Sequence, residues 1–326
     1  MAVVGTTHSY DGPKWTVNQL VKNPVWVPNT IAKMVEDSNI AEHLLRTGPT
    51  AVGGAVSFEE TLALYAGSEG EIVAEYGEYP MTEIPSRTPV VRATTKRGVG
   101  FRISEEIRTR NDTGRVQDQM RMTRDTLVNG RDKVFFDAVM NHTGVHATAA
   151  AAVTGTPSDA VNGWYSQTAA NSKIKEDISR AIFRIASQGV TGAQYSEKLG
   201  YKADTLIVHP QVASMLLFSP EVAEVFEHSL PAEKTISFSG LMPTKFLTLD
   251  VFTSWRCPSS VAIVCQRKAM GFISKEWPLR GTPLKFNEAD DTYTSYFRYR
   301  DLVAVDNPKA VAKITNIDGS GDVVWS

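Results

Sequence analysis

Apolar residues change period along this chain, and each change marks a different kind of element. Between Thr30 and Arg46 they fall at Ile31, Met34, Val35, Ile40 and Leu44, a helical spacing inside an opening stretch punctuated by Pro24, Pro28 and Pro49. At Val56 the period drops to two. Val56, Phe58, Leu62 and Leu64 share one strand face, interrupted by Glu60, while Ser57, Glu59 and Thr61 take the other. Glycines and glutamates fill the stretch from Gly67 to Glu78, and a return strand is predicted from Thr88 to Ile103, alternating at Val99, Phe101 and Ile103. Ser104 followed by Glu105 and Glu106 reads as a helix start, an N-cap with carboxylates at the positive end of the dipole. The helix is predicted to run to Met140, striped by Val116, Met120, Thr123, Leu127, Val134 and Ala138. Arg108, Arg110, Arg115, Arg121, Arg124 and Arg131 fall on its other faces, giving an amphipathic spine with a basic exposed side. Gly114 and Gly130 each weaken it by about 1 kcal/mol relative to alanine.

The Ala/Thr/Gly-rich tract from His146 to Pro157 reads as a linker, and beyond it the pattern turns α/β. Ile174, Ile178, Ile182 and Ile185 stripe a helix closed by Gly189. Asp204 to Val208 is a buried strand, and His209-Pro210 opens a helix with proline in its first turn. Ser219-Pro220-Glu221 starts a second short helix through Phe226. Strands are predicted at Phe246–Phe252, Val261–Cys265, Ala269–Ile273, Tyr293–Val305 and Ala310–Ile317, the last two closing as a hairpin through Asp306-Asn307-Pro308. No internal repeat is evident.

Composition narrows the function. The 326 residues hold 34 Lys plus Arg against 36 Asp plus Glu, without the basic excess of a protein built to grip nucleic acid. No apolar stretch approaches the roughly 18 residues needed to span a bilayer. Met1 to Thr6 lacks the basic and apolar segments of a signal peptide, and two cysteines, Cys257 and Cys265, cannot build a disulfide framework. The expectation is a soluble chain folded in a reducing cytoplasm.

Catalytic and metal motifs are missing from the sequence. It has no P-loop, no G-x-G-x-x-G after a strand and no nucleophile elbow. His142 and His146 stand four apart, but Gly144 lies between them and no third ligand follows, so they read as loop histidines. His209 reads as a helix cap, Cys265 as a core residue and Cys257 as an inert loop thiol. Asp318 to Asp322 resembles part of a calcium loop but lacks the distal Glu, and reads as a turn. Neither a cofactor nor a metal is expected, and no catalytic residue.

Local charge is far from neutral. From Gly54 to Ser86 there are seven acidic residues and no Lys or Arg; from Arg87 to Lys133 twelve basic residues stand against six acidic. A two-stranded ribbon is marginal alone in water, and this one carries Leu62, Leu64, Ile72, Val73, Tyr76 and Tyr79. Projecting freely, it would expose an apolar face and unpaired edges. The expectation is that Glu69, Glu71, Glu75 and Glu78 of one copy meet the arginines Arg108, Arg110, Arg115, Arg121, Arg124 and Arg131 of another. Exposed ion pairs contribute only about 0–1 kcal/mol each, so the glutamates set register while buried apolar area supplies affinity.

This order of parts resembles the major capsid proteins of tailed bacteriophages. The resemblance rests on an N-terminal arm, an acidic β ribbon, a return strand running from Val90-Val91-Arg92-Ala93 to Gly100-Phe101-Arg102-Ile103-Ser104-Glu105-Glu106, and the long spine helix. Asp204-Thr205-Leu206-Ile207-Val208-His209-Pro210 looks like part of that family's axial domain. It implies an α+β fold with an N-terminal arm at 1–53, an extended loop at 54–95, a peripheral domain at 96–150 and 286–326, and an axial α/β domain at 151–285. It also implies a structural subunit, not an enzyme, that assembles with itself as hexamers and pentamers into an icosahedral virion shell in the host cytoplasm. Implied partners are a portal protein, a separate scaffolding protein, decoration proteins, and packaged double-stranded DNA held by weak non-specific contact; no membrane is involved. Some relatives crosslink their shells through a loop lysine, but no Lys lies between Gly54 and Ser86, so no such bond is expected from this loop. The alternatives are an encapsulin-like compartment around a cargo enzyme, which shares the fold, and a cytoplasmic α/β enzyme using the histidines.

Overall fold

A computed structural model describes residues 16–36, 39–51, 53–60, 72–79, 89–149, 164, 174–187, 200–218, 236–239 and 242–317. Helices α1 (Val17–Lys22), α2 (Trp26–Glu36) and α3 (Ile40–Leu44) come first, followed by strands β1 (Arg46–Thr47), β2 (Ala55–Phe58), β3 (Val90–Ala93) and β4 (Thr95–Ser104). Then come α4 (Glu105–Thr109), α5 (Thr113–Met140), β5 (His146–Ala149), α6 (Ile174–Ala186), β6 (Thr205–Val208) and α7 (Pro210–Phe218). The remainder is mostly strand: β7 (Ile236–Ser239), β8 (Met242–Phe246), β9 (Leu249–Thr253), β10 (Ala262–Cys265), β11 (Phe272–Gly281), β12 (Lys285–Asn287), β13 (Thr292–Ala304) and, after one 3-10 turn at Pro308–Ala310, β14 (Val311–Thr315). The chain forms two compact units, one of residues 1–56, 91–135 and 273–303, the other of 57–90, 136–272 and 304–326.

The first unit is built on a five-stranded sheet in the order β1-β11-β13-β12, with β4 also paired to β13. β4 and β13 run antiparallel over ten residue pairs, from Thr292 opposite Ser104 to Asp301 opposite Thr95. Alternation sends Phe101, Ile103, Phe297 and Tyr299 inward. There they meet Val116, Met120 and Leu127 of α5, Val27, Ile31 and Val35 of α2, and Val17 and Leu20 of α1. The opening helices are thus part of this core.

The spine is not one helix from Ser104. Ser104 Oγ does accept the Ile107 N–H at 3.3 Å and starts α4, but α4 ends after five residues. Asn111 adopts a left-handed φ of 50°. The Asn111 and Asp112 amides return to the carbonyls of Arg108 and Ile107, both at 3.1 Å, a Schellman closure. Asp112 Oδ1 then accepts the Arg115 N–H at 3.1 Å and caps the 28-residue α5. At about 1.5 Å per residue that helix is about 42 Å long. Its buried stripe also departs from the expected one: after Leu127 it continues through Arg131, Phe135, Phe136 and Val139, leaving Val134 and Ala138 half-buried.

The second unit holds a seven-stranded sheet, β5-β14-β10-β6-β9-β8-β7, parallel at β5–β14 and β6–β9 and antiparallel elsewhere. Its central strands β6 and β10 are buried at every position. Ile174, Ile178, Ala181 and Ile185 of α6 are buried in this unit, and the Trp164 indole donates to the buried Asp177 carboxylate at 3.0 Å.

The helical spacing over Thr30–Arg46 falls on two short helices, the second capped by the Asn39 side chain, which accepts the Ala41 N–H at 3.1 Å. Three further expectations are corrected. The return strand is broken at the buried Thr94 into β3 and β4. The strand expected at Phe246–Phe252 is a β8–β9 hairpin, turned at Leu247 with φ 53°. The closing hairpin does not form: β13 belongs to the first sheet, and β14 pairs with β5 and β10 in the second. The short helix expected at Ser219–Phe226, the Ala/Thr tract beyond Ala149 and the Asp318–Asp322 turn lie outside the described residues.

Because α4 and α5 are separated by two side chains, Asp112→Ala is expected to lower stability by about 1 kcal/mol. Asn111→Ala is expected to cost about 1–2 kcal/mol for a left-handed non-glycine residue. Urea midpoints at constant m-value measure both, and unchanged midpoints would place the origin of the break elsewhere.

Candidate subunit interface

Residues 72–79 of the expected ribbon contain a reverse turn. Gly77 N–H donates to the Ala74 carbonyl at 2.8 Å, and Tyr76 between them takes a left-handed φ of 66°. Ile72, Tyr76 and Tyr79 are exposed, as are Glu75 and Glu78. Gly77 is required by space, since a Cβ there would meet the Val73 side chain at 2.8 Å and the Ala74 carbonyl at 2.9 Å. Glu69 and Glu71, and the strand positions Leu62 and Leu64, lie outside the described residues.

The ribbon's root is held by polar side chains. β2 and β3 pair as a two-stranded sheet. Gly53 and Gly54 both have positive φ, and a Cβ on Gly54 would sit 2.7 Å from Arg300 Nη2. Thr94 donates its amide to the Gly54 carbonyl at 2.9 Å and its hydroxyl to Glu276 at 2.5 Å. Arg300 donates to the same Glu276 at 3.1 Å. Further along, His142 Nδ1 accepts the Gly144 N–H at 3.1 Å, which leaves the ring proton on Nε2 facing the Glu60 carboxylate at 3.3 Å.

The arginines separate into two sets. Arg108 lies 2.7 Å from Glu105 and donates to the Tyr293 hydroxyl. Arg115, Arg121 and Arg124 pair with Asp112, Asp118 and Asp125 at 3.7, 3.9 and 2.6 Å. Arg108, Arg115, Arg121 and Arg124 thus each have an acid within three residues in sequence, and Arg110 is exposed. Arg131 contradicts the expected basic face. Its side chain is 3% exposed, 3.1 Å from Glu42 and 3.6 Å from Asp301, with its guanidinium over the Tyr299 ring. Lys275 reaches Glu42 at 2.8 Å. The result is a buried ionic cluster joining α3, α5, β11 and β13, which residue types alone do not disclose. Burial pushes the Asp301 carboxyl above its ordinary range against the opposing pull of Arg131, Arg97 and Lys275. It likewise raises the Tyr299 phenol, with Asp301 adding to the rise.

The other chemical candidates are placed as structural groups. The Gln211 N–H donates to His209 Nδ1 at 3.1 Å, so His209 caps α7, and burial lowers its pKa. Cys257 and Cys265 are buried free thiols whose pKa values burial raises far out of the reactive range. No cluster of potential metal ligands occurs among the described residues, and no helix among them is long and apolar enough to cross a membrane. The side chain of His146 lies outside those described.

Comparison with known proteins supplies the context for this geometry. The family model described as phage capsid protein matches residues 87–314. A virus-like particle from Pyrococcus furiosus is similar with a TM-score of 0.54 at 12% identity, over 89% of this chain and 98% of that one. A chain from Microbacterium phage Oxtober96 gives 0.53 at 13% identity, over 85% and 91%. The SrpI encapsulin of Synechococcus elongatus PCC 7942 gives 0.50 at 10% identity, over 87% and 88%. No curated protein matches the chain in sequence. At these identities the likenesses establish the fold.

Two outcomes follow from the buried cluster. Arg131→Ala is expected to cost about 3–5 kcal/mol, since it removes the ion-pair partner of the buried Asp301 and leaves Glu42 only Lys275, whereas Arg121→Gln should stay within about 0.5 kcal/mol. Denaturant unfolding of the two variants separates them. The raised Asp301 pKa means that the folded state holds a proton the unfolded chain releases. Its contribution to stability is present below the ordinary value of 3.8 and is lost as pH rises through the raised one. Asp301→Asn should remove that descending slope from a plot of unfolding free energy against pH, and an unchanged slope would assign it to another group.

Proposed function

The chain belongs to the phage capsid protein family, and from that premise, as a major capsid protein of the virion that acts by self-association, we propose how it builds its shell. Copies assemble as hexamers and pentamers into a closed icosahedral container for packaged double-stranded DNA. Residues 96–150 and 286–326 serve as the peripheral domain and residues 151–285 as the axial domain around the symmetry axes. Residues 54 to 95 form an extended loop that lies across an adjacent subunit. A portal protein and a separate scaffolding protein complete the assembly, and decoration proteins add to it. The protein has no catalytic role.

One observation carries this reading: Ile72, Tyr76 and Tyr79 stand exposed together at one reverse turn of the acidic stretch. Apolar side chains at a constrained turn are an incomplete contact, and a second copy completes it. Each such contact is modest, but closed symmetry repeats it around every ring and across the shell, so the assembly is cooperative. The near-neutral net charge of −2 suits a container that does not adhere to its contents. An encapsulin-like compartment shares the fold, but the family match over residues 87–314 favours the phage role.

Electron microscopy of the purified full-length chain is expected to show closed particles. Replacing residues 72–79 by a short glycine linker should abolish them while leaving the circular dichroism spectrum intact. A chain that stays monomeric at high concentration would defeat the shell reading.

A further inference from the structure

We infer that His209 is a proton-operated joint in the second unit: neutral, its ring caps α7, and protonated, it leaves the cap for the exposed Trp255 indole. The local sequence sets this up. Strand β6 runs directly into His209 and α7, and Pro210 has no amide to offer at the first helical position. The Gln211 amide is therefore the helix's first donor, and its acceptor is His209 Nδ1 at 3.1 Å. A neutral ring that accepts at Nδ1 carries its proton on Nε2. The usual capping residues, Ser, Thr, Asp and Asn, keep such a bond near neutral pH, whereas a histidine gains charge there.

The second partner stands on a facing turn. The His209 and Trp255 ring centroids are 5.2 Å apart, with the planes at 89°. That is within the roughly 6 Å at which a cation is drawn to an indole face. Trp255 is 79% exposed, yet the backbone that presents it is fixed. Ser254 before it is buried and donates its amide to the Val208 carbonyl at 3.1 Å. Ser254 Oγ accepts the Arg256 N–H at 3.3 Å, and its carbonyl accepts the Cys257 N–H at 3.2 Å. The indole is thus held in place, and the His209 ring is the part that turns.

The elements around His209 carry few charges among the described residues. Neither β6 nor α7 has a titratable side chain. Arg256 is the one charged residue from Ser254 to Val261, and a guanidinium does not titrate. Lys245 of β8 and Asp250 of β9 pair with each other at 3.6 Å. Asp250 lies beside Thr205, at the other end of β6 from His209. Burial lowers the His209 pKa from its ordinary 6.5. The stability that the neutral ring contributes is therefore full above 6.5 and is lost as pH falls through the lowered value. Protonation places a hydrogen on Nδ1, which can then no longer accept from Gln211, and the charged ring gains by moving over the Trp255 face.

The test follows the full-length chain from about pH 5 to about pH 8 beside H209N, which caps a helix without titrating. Hydrogen exchange at the first turn of α7 is compared between the two at each pH. Equal exchange is expected above 6.5, and about fivefold faster exchange in the parent at the acid end, the size of a lost cap. Tryptophan emission should show a step over the same range, because an imidazolium in contact with an indole quenches it. The step should vanish in H209N and in W255F. Parent and H209N chains that exchange alike at every pH would overturn the joint, as would an emission step that survives in H209N. A change in exchange with none in emission would overturn the move to Trp255, and the joint with it. Circular dichroism checks folding, and H209S serves as the non-titrating cap should H209N not fold. Neither readout requires particles, so failure here and failure of the shell reading are separate outcomes.

Discussion

Three exposed apolar side chains at one turn, Ile72, Tyr76 and Tyr79, set the terms for the rest of this molecule. Burying a side chain of this size is worth about 1.5–3 kcal/mol, and nothing among the described residues supplies that burial. The tip is also stiff: a left-handed tyrosine followed by a glycine that space alone requires gives it one preferred shape. A floppy loop would lose much of the gain to ordering, at about 1–2 kcal/mol for each residue fixed on contact. A preformed turn loses less, so the exposed residues are available to association.

The root matters as much as the tip. Thr94 breaks the return strand, but its amide and hydroxyl hold Gly54 and Glu276, and Arg300 holds Glu276 from β13. His142 bonds Glu60 on the outgoing strand. These contacts hold the chain on both sides of β2 and β3. The buried Arg131 cluster plays a related part within the first unit. A buried ion pair is weak evidence for stability, because desolvation offsets much of the attraction. Its value here is geometric: only one arrangement of α3, α5 and β13 brings Glu42, Asp301 and Tyr299 around one guanidinium. Displacing any of these elements would leave a charge unpaired in the core.

Much of this was legible in the sequence wherever a repeat of two or three-to-four was reinforced by a terminal signal. Ser104 before two glutamates, proline after His209, and the apolar runs of β6, β10 and β13 all fell where periodicity put them. The misses have physical causes. Thr109 to Thr113 is polar throughout and compatible with a helix surface, so the left-handed Asn111 and capping Asp112 were hidden by their own ambiguity. Leu247 turns the β8–β9 hairpin without the glycine or asparagine that usually announces a positive φ. The two last strands were read as a hairpin because they are adjacent in sequence, yet partner choice is decided by which sheet has a free edge. Arg131 sat in the apolar stripe by spacing but was assigned to the surface by type, and tertiary partners overrode type. The acidic stretch was visible from charge alone, whereas the acids beside Arg115, Arg121 and Arg124 were not read as their partners.

Charge has a limited part in such an interface. A row of basic residues in sequence says nothing about whether their charge is spent, and on α5 an aspartate stands beside Arg115, Arg121 and Arg124 alike. Exposed pairs of this kind contribute little and are screened by salt. Charge across an interface steers approach and rejects a like-charged partner more than it adds affinity. On β4 the outward cations Lys96 and Arg102 are separated by glycines instead of acids, with Lys96 over the Trp277 ring and Tyr296 packed at Gly100. The inward positions between them, Val99 and Phe101, are meanwhile occupied with holding the subunit together.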